Sequence, residues 1–185
     1  KEKNNSIEIY NEDALNLKIW KLGNSSREVI ANLPYNISTK ILINLIKNSD
    51  QFSKLTMMFQ KEVANRIIAK PGSKNYSRLS VITQLKMKAK ILFDIPDTAF
   101  FPKPKVKSSL VQFIPYDNKK YNFNFDKMEE LTRFVFSKKR KMLRTIFKKK
   151  GGTSFLDSIN VHPNIRPENL TLEEFCKLEF ALRKH

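Results

Sequence analysis

The spacing of apolar residues changes along this 185-residue chain, and the change limits the folds that it can adopt. Up to Asp117, short apolar runs alternate with stretches of helical spacing, whereas from Phe125 onward only helical spacing is found. Alternating strands and helices are typical of an α/β sheet with crossover helices. We therefore predict an α/β part over residues 1–117 and a small all-α domain over residues 118–185.

Strands are predicted from the apolar runs of the first part, at residues 7–10, 27–31, 55–59, 89–95 and 109–114. The first of these continues from Ser6 and ends at a polar turn. The run Val29-Ile30-Ala31 is continuous, as in strands that are buried on both faces of a parallel sheet. The pattern therefore favours a parallel sheet whose strands are joined by helices.

Helices are predicted in both parts. In the first part, one helix is predicted to follow Ser38 and Thr39, which could cap it. Two more helices are predicted at residues 61–70 and 79–85. In the second part apolar residues at helical spacing predict helices at 128–136, at 142–147 up to Gly151-Gly152, at 155–159 and at 172–180. All of these helices have an apolar side that can pack on a core.

The chain is strongly basic, with 35 Lys and Arg against 18 Asp and Glu and a net charge of +17. Such an excess fits a polyanionic partner, either a nucleic acid or an anionic membrane surface. No apolar stretch is long enough to span a bilayer, and no signal peptide is found. One cysteine excludes an internal disulfide, and two histidines argue against a zinc site. We expect a cytoplasmic, monomeric protein that binds no metal.

The motif Asn32-Leu33-Pro34-Tyr35, directly after the second strand, is suited to methylation of an amino group on a base. The lone pair of that amine is delocalised, so a catalyst must accept hydrogen bonds from both amine hydrogens. The Asn32 side-chain oxygen can accept one, and the Leu33 carbonyl, held extended by Pro34, can accept the other. Tyr35 can stack on a base that has left its helix.

The same four residues also fit an ordinary loop after a buried strand, with Tyr35 in the core. Short patterns recur by chance, so the motif alone favours that simpler interpretation. Other parts of the chain must decide between the two.

The loop at residues 100–106, Phe-Phe-Pro-Lys-Pro-Lys-Val, could supply the second wall of a base-binding slot. Its two prolines fix an extended backbone, and Phe100 could face Tyr35 across the slot. A single Phe is more often a buried anchor of its loop. Asp13, after the first strand, could accept a hydrogen bond from a nucleoside amine or hydroxyl, but a turn-forming Asp is the more common reading.

A basic segment near residue 140 is the strongest compositional signal. It contains Lys138, Lys139, Arg140, Lys141, Arg144 and Lys148 to Lys150, without an acidic residue between them. In one helix, Arg140 and Arg144 would share a face and could follow phosphates. A solvated charged face is the alternative, but like charges at this density repel one another unless a polyanion is present.

The sequence lacks the residue patterns that other kinds of catalysis require. The four glycines form no phosphate-binding loop, and the sequence has neither a Ser/His/Asp set nor a cluster of metal ligands. Hydrolase and phosphoryl-transfer functions are therefore disfavoured.

Several stretches resemble, in the same order, motifs of the KsgA-type ribosomal RNA adenine dimethyltransferases. The resemblance runs over nearly the whole chain. Residues 32–39 resemble the catalytic stretch, and residues 60–66 and 77–81 resemble the next two segments. Residues 100–106 resemble the F-x-P-x-P-x-V loop, 139–144 the basic helix of the small domain, and 166–170 the closing R-x-E-N-L motif.

The resemblance implies a Rossmann-like S-adenosylmethionine methyltransferase domain followed by a small helical RNA-binding domain. It implies dimethylation of N6 on two adjacent adenosines in the 3′-end hairpin loop of small-subunit rRNA, with a role in small-subunit biogenesis. By position, Asp13 and Ala14 would contact the cofactor, Asn32 both cofactor and target amine, and Lys138, Lys139, Arg140, Lys141 and Arg144 the RNA.

The resemblance begins inside the methyltransferase domain. The family's glycine-rich cofactor loop and the acidic residue for the cofactor ribose lie upstream of the part that resembles Lys1. We therefore expect the first strands of the sheet to be absent from this chain. We also expect the chain alone to bind S-adenosylmethionine weakly and to turn over poorly.

Two further functions stay open at the level of sequence. A DNA adenine methyltransferase, or a methyltransferase of large-subunit rRNA, would use a similar loop and aromatic pair. A non-enzymatic assembly or transcription factor would need only the basic surface. Residues 139–144 and 166–170 favour the small-subunit enzyme.

Overall fold

Four strands form one sheet in a computed structural model, which describes residues 7–24, 26–104, 106–117 and 120–183. The order in the sheet is β1-β2-β4-β3. The strands are β1 Arg27–Ala31, β2 Phe52–Gln60, β3 Met87–Ile95 and β4 Ser108–Pro115. The four strands predicted from residue 27 onward are thereby confirmed, and three of them are longer than predicted.

The sheet is mixed, so the prediction of a parallel sheet is wrong for one strand. β1 is parallel to β2, but β4 is antiparallel to both β2 and β3 and lies between them. Among the described residues between β3 and β4, no α-helix carries the chain back across the sheet. Without that crossover the chain returns in the opposite direction.

The strand predicted at residues 7–10 does not form. Ser6 lies outside the described residues, and residues 7–10 pair with no strand that the structure describes. Ile7 and Ile9 are therefore almost fully exposed. β1 is at the edge of the described sheet, and its Ile30 is 84% exposed, so the burial expected for this strand on both faces is also wrong.

Three helices accompany the sheet: α1 Tyr35–Lys47, α2 Lys61–Ile67 and α3 Arg78–Lys86. α1 begins at Tyr35, ahead of the predicted caps Ser38 and Thr39, because the carbonyl of Pro34 already accepts the amides of Ile37 and Ser38. Ser38 is thus inside the helix, where its hydroxyl donates to the Tyr35 carbonyl, and is not a cap. The predicted apolar side of α1 is buried as expected: Ile41, Leu42, Leu45 and Ile46.

The second part is helical, as predicted, with α4 Phe125–Phe136, α5 Leu143–Ile146, α6 Thr153–Ser158 and α7 Leu172–Arg183. Its helices pack directly on α3, where Arg78 pairs with Glu129 of α4. Buried residues of both parts belong to one contiguous core. The division at residue 117 stays a prediction. No helix within the described ranges is long and apolar enough to cross a bilayer.

Candidate active site and nucleic-acid interface

Two loops that are far apart in sequence meet around one cleft of about 380 Å³. One loop joins β1 to α1, and the other precedes β4. The cleft is lined by the five residues predicted to act on the base, Asn32, Leu33, Pro34, Tyr35 and Phe100, and also by Met58, Phe101, Pro102 and Pro104. The sequence pattern grouped these residues by chemistry, and the fold places them together.

Asn32 is the first residue after β1 and is exposed to the cleft. No other described residue engages its side chain or the carbonyl oxygen of Leu33 in a hydrogen bond. Pro34 then turns the chain into α1. Two acceptors of adjacent residues are thereby left available to the amine of a bound base.

Tyr35 is half-buried at the first position of α1. Its hydroxyl is 2.6 Å from the hydroxyl of Ser108, which is fully buried at the start of β4. Ser108 fixes the position of the Tyr35 ring, and sequence reasoning missed it. The available signal was a pair of serines at the start of an otherwise apolar strand. Met58 of β2, buried beneath the cleft, was also missed.

Phe100 is half-buried in an extended backbone, whereas the neighbouring Phe101 is fully exposed. Phe100 therefore can serve as a wall, while Phe101 projects into solvent. Lys105, in the same predicted loop, lies outside the described residues.

An ion pair and two hydrogen bonds hold both ends of the Phe100 loop. At its start, Asp94 of β3 accepts from Lys61 at 2.5 Å and from the hydroxyl of Ser109 at 2.6 Å. At its end, the carbonyl of Lys107 accepts the amide of Lys61 at 2.9 Å. The bonds from Lys61 and then Ser109 lower the pKa of Asp94. Lys61 of α2 thus contacts β3 and the residue that precedes β4, at the two ends of the loop.

Asp13 and Ala14 do not line the cleft. The exposed Asp13 carboxylate accepts the amide of Leu15 at 2.9 Å and the side chain of Asn16 at 3.0 Å. Asp13 therefore forms a turn, as the alternative interpretation of the sequence predicted. Each carboxylate oxygen keeps capacity for a further donor. The cofactor role of Asp13 and Ala14 stays a prediction.

The basic segment is not one helix, so the shared helical face of Arg140 and Arg144 is wrong. Residues 137–141 form a turn, and α5 begins only at Leu143. The amides of Leu143 and Arg144 donate to the carbonyls of Ile165 and Pro163, not to a preceding helical turn.

The basic side chains nonetheless remain exposed. Lys139, Arg140, Lys141 and Arg144 are on the surface, and none of them has an ion-pair partner among the described residues. Lys138 is half-buried, with its ammonium 4.0 Å from the ring centre of Phe134. The positive charge of this surface is therefore uncompensated.

Comparison with known proteins gives a consistent result over almost the whole chain. The family model for ribosomal RNA adenine dimethylase matches residues 1–184. A ribosomal RNA small subunit methyltransferase A from Ehrlichia canis is 40% identical over 179 residues, which cover 96% of this chain and 68% of the relative. The protein of the same name from Wolbachia of Drosophila simulans is 44% identical and covers 92% and 63%. The chain thus spans about two thirds of such relatives.

Solved structures agree with the fold. A dimethyladenosine transferase from Plasmodium falciparum matches with a TM-score of 0.84 and 30% identity, over 97% of this chain and 74% of that one. The 23S rRNA methyltransferase ErmE matches with a TM-score of 0.64 and 18% identity, over 95% and 72%, which supports the fold alone. The predicted Rossmann-like methyltransferase fold and the family resemblance are confirmed.

Proposed function

This chain belongs to the ribosomal RNA adenine dimethylase family, and on that premise we propose that it methylates N6 of two adjacent adenosines in small-subunit rRNA. The proposal includes a role in small-subunit biogenesis. We also propose that the protein acts in the cytoplasm and as a monomer.

The cleft between the two loops is the observation that carries the proposal. A flipped adenine would lie between the rings of Tyr35 and Phe100, with its amine toward Asn32. The Asn32 side-chain oxygen and the Leu33 carbonyl accept the two amine hydrogens, which leaves the nitrogen lone pair directed at the methyl donor. The amine loses its proton to water after the attack, when methylation has made it acidic.

S-adenosylmethionine is the methyl donor that we propose, and it supplies an electrophilic methyl group on a sulfonium. Asp13, Ala14 and Asn32 are the residues that would hold it. The exposed Asp13 carboxylate fits the amine of the cofactor adenine, because each of its oxygens carries only one hydrogen bond within the described part of the chain. Asn32 would contact both cofactor and target base.

The cations at 138–144 are proposed to bind the rRNA backbone. Lys139, Arg140, Lys141 and Arg144 lack ion-pair partners in the described part of the chain, so phosphates can neutralise them. Their arrangement on a turn and a short helix gives a compact patch. Lys138 joins it at the edge, beside Phe134.

Replacement of Asn32 tests the proposal. In the protein that carries this chain, Asn32→Ala should lower methyl transfer to small-subunit particles by about a hundredfold or more, as loss of one preorganised polar group in a site does. Binding of rRNA should be unchanged. Transfer is measured with radiolabelled S-adenosylmethionine on small subunits, large-subunit rRNA and DNA in parallel.

Asn44→Ala is the matched control, since Asn44 is an exposed asparagine of α1 outside the cleft. It should leave methyl transfer unchanged. Full turnover by Asn32→Ala would exclude the proposed role of this side chain. Transfer to large-subunit rRNA or DNA in preference to small subunits would exclude the proposed substrate.

A further inference from the structure

A second groove, of about 1050 Å³, lies on the helical part of the molecule. It runs between α4, the segment 145–150 and the end of α7, and it shares no lining residue with the cleft. Its size is at the upper end of the range for ligand sites.

The rim of this groove has uncompensated positive charge. Lys148, Lys149 and Lys150 are consecutive, exposed and free of ion-pair partners within the described ranges. Both carboxylates that line the groove are already paired, Glu130 with Lys127 at 3.1 Å and Glu179 with Arg183 at 2.9 Å. The rim therefore attracts a polyanion.

The floor of the groove is apolar and partly aromatic. Leu131, Ile146 and Phe147 are buried there, while Phe134 is 41% exposed. The Phe134 ring packs on Phe147 with ring centres 6.0 Å apart, and the ammonium of Lys138, which also lines the groove, lies 4.0 Å from the Phe134 ring centre. An exposed aromatic beside lysines is the combination that holds unstacked bases and their phosphates in single-stranded nucleic acids. A duplex keeps its bases stacked and would use only the lysines.

A buried carboxylate fixes the two long helices that border the groove. Glu179 of α7 is 1% exposed and accepts the backbone amide of Asn124, the residue that caps α4, at 3.3 Å. Arg183 binds the same carboxylate oxygen. The groove is therefore preformed, which lowers the cost of binding.

We propose that this groove binds a single-stranded segment of RNA, with one base stacked on Phe134 in place of the Lys138 ammonium and backbone phosphates on Lys148, Lys149 and Lys150. The inference rests on the proposed function, since ribosomal RNA supplies such a segment. It adds a contact that is separate from the methylation cleft and that adjoins the exposed cations at 139–144 through Lys138, which lines the groove.

Fluorescence anisotropy with a labelled ten-nucleotide RNA tests the proposal, with the chain as it stands and without S-adenosylmethionine. The triple variant Lys148→Gln, Lys149→Gln, Lys150→Gln should bind at least tenfold more weakly. Its salt slope should be smaller by about 2, at roughly 0.7 for each lost phosphate contact on a single strand. The triple variant Lys70→Gln, Lys88→Gln, Lys90→Gln removes equal charge from exposed lysines of the α/β part and should retain the slope.

The aromatic contact is tested separately. Phe134→Leu should weaken binding roughly fivefold to a hundredfold, the range for loss of one stacked base, without a change in salt slope. Phe134→Tyr keeps the ring and should retain binding. Equal affinity of both triple variants, tighter binding of an RNA duplex, or preferential binding of an acidic peptide would each overturn the proposal.

Methyl transfer separates this inference from the proposed function. At saturating RNA, the Lys148–Lys150 variant should transfer methyl groups at the normal rate but with a raised KM. If neither the unmodified protein nor any variant methylates RNA, the proposed function is wrong. If the groove variants still bind RNA more weakly in that case, the proposed RNA contact in the groove remains supported.

Discussion

Tyr35 combines an aromatic face toward the cleft with a hydroxyl that is bound on the other side. Its partner, Ser108, opens the strand that follows the Phe100 loop. One hydrogen bond of 2.6 Å therefore ties one wall of the cleft to the strand that carries the other. On the proposed function Ser108 is a positioning residue, because it would act on the base through the Tyr35 ring.

We expect Tyr35→Phe and Ser108→Ala each to lower kcat for methyl transfer about threefold to tenfold, the effect of losing one hydrogen bond, with little change in KM. The double variant should be no worse than either single variant, because both remove the same bond. Steady-state kinetics of the four proteins measure this coupling. Additive losses would mean that the two hydroxyls act independently.

The grouping of candidate site residues could be predicted from the sequence where those residues are consecutive in the chain. Asn32, Leu33 and Pro34 are consecutive, so their common place on the cleft follows from local geometry alone. Ser108 is 73 residues from Tyr35, and only the fold brings the two hydroxyls together. Asp13 was ambiguous in the sequence, and it does form the turn that an isolated Asp most often forms.

At the scale of elements, the Phe100 loop depends on the strands at its two ends. Lys61, Asp94 and Ser109 connect α2 with β3 and β4, the two strands between which the loop runs. The lowered pKa of Asp94 arises from these bonds, first with Lys61 and then with Ser109. The charged form of Asp94 is therefore favoured in the folded state.

A pH titration of stability should detect this cluster. A lowered folded-state pKa contributes stability that is present above the unfolded value near 4 and is lost as the pH falls through the folded value. Asp94→Asn should thus destabilise the protein at pH 7 and reduce the loss of stability below about pH 4. Urea unfolding at pH 7, 5, 4 and 3 measures it. Asp157→Asn, at a surface aspartate without an ion pair in the described ranges, should behave like the unmodified protein.

Secondary structure was predictable where apolar spacing is long and regular, as in α1, α4 and β2. The strand at residues 7–10 was wrong because alternation alone does not provide a neighbour to pair with. The single basic helix was wrong for a related reason. The amides of Leu143 and Arg144 find carbonyl partners in the segment 163–165, and those distant bonds replace a local helix.

At the scale of the whole molecule, α3 joins the two parts that composition separates. It packs on α1, α2 and β3 on one side and on α4 and α7 on the other. Buried residues on several sides explain why α3 has no distinct polar face; Val81, Ile82 and Leu85 are all buried. The change in apolar spacing near Asp117 marks a change of architecture within a shared core.

We expect the two parts to unfold together, because they share that core. The fluorescence of Trp20, in the α/β part, and the far-ultraviolet circular dichroism, dominated by helices, should follow one thermal transition. Ile82→Ala should lower the free energy of unfolding by about 2–5 kcal/mol and shift both signals equally. Two separate transitions would instead support independent domains divided at residue 117.

The position of β4 between β2 and β3 also sets the order in which the protein can be completed during synthesis. β3 is held to the sheet only through β4 among the described strands, and β4 is the last strand to be made. Until residue 115 has left the ribosome, β3 cannot pair with the sheet and the Tyr35 hydroxyl cannot form its hydrogen bond with Ser108. The Phe100 wall of the cleft is therefore assembled after the Tyr35 wall, and a nascent chain cannot form the cleft early.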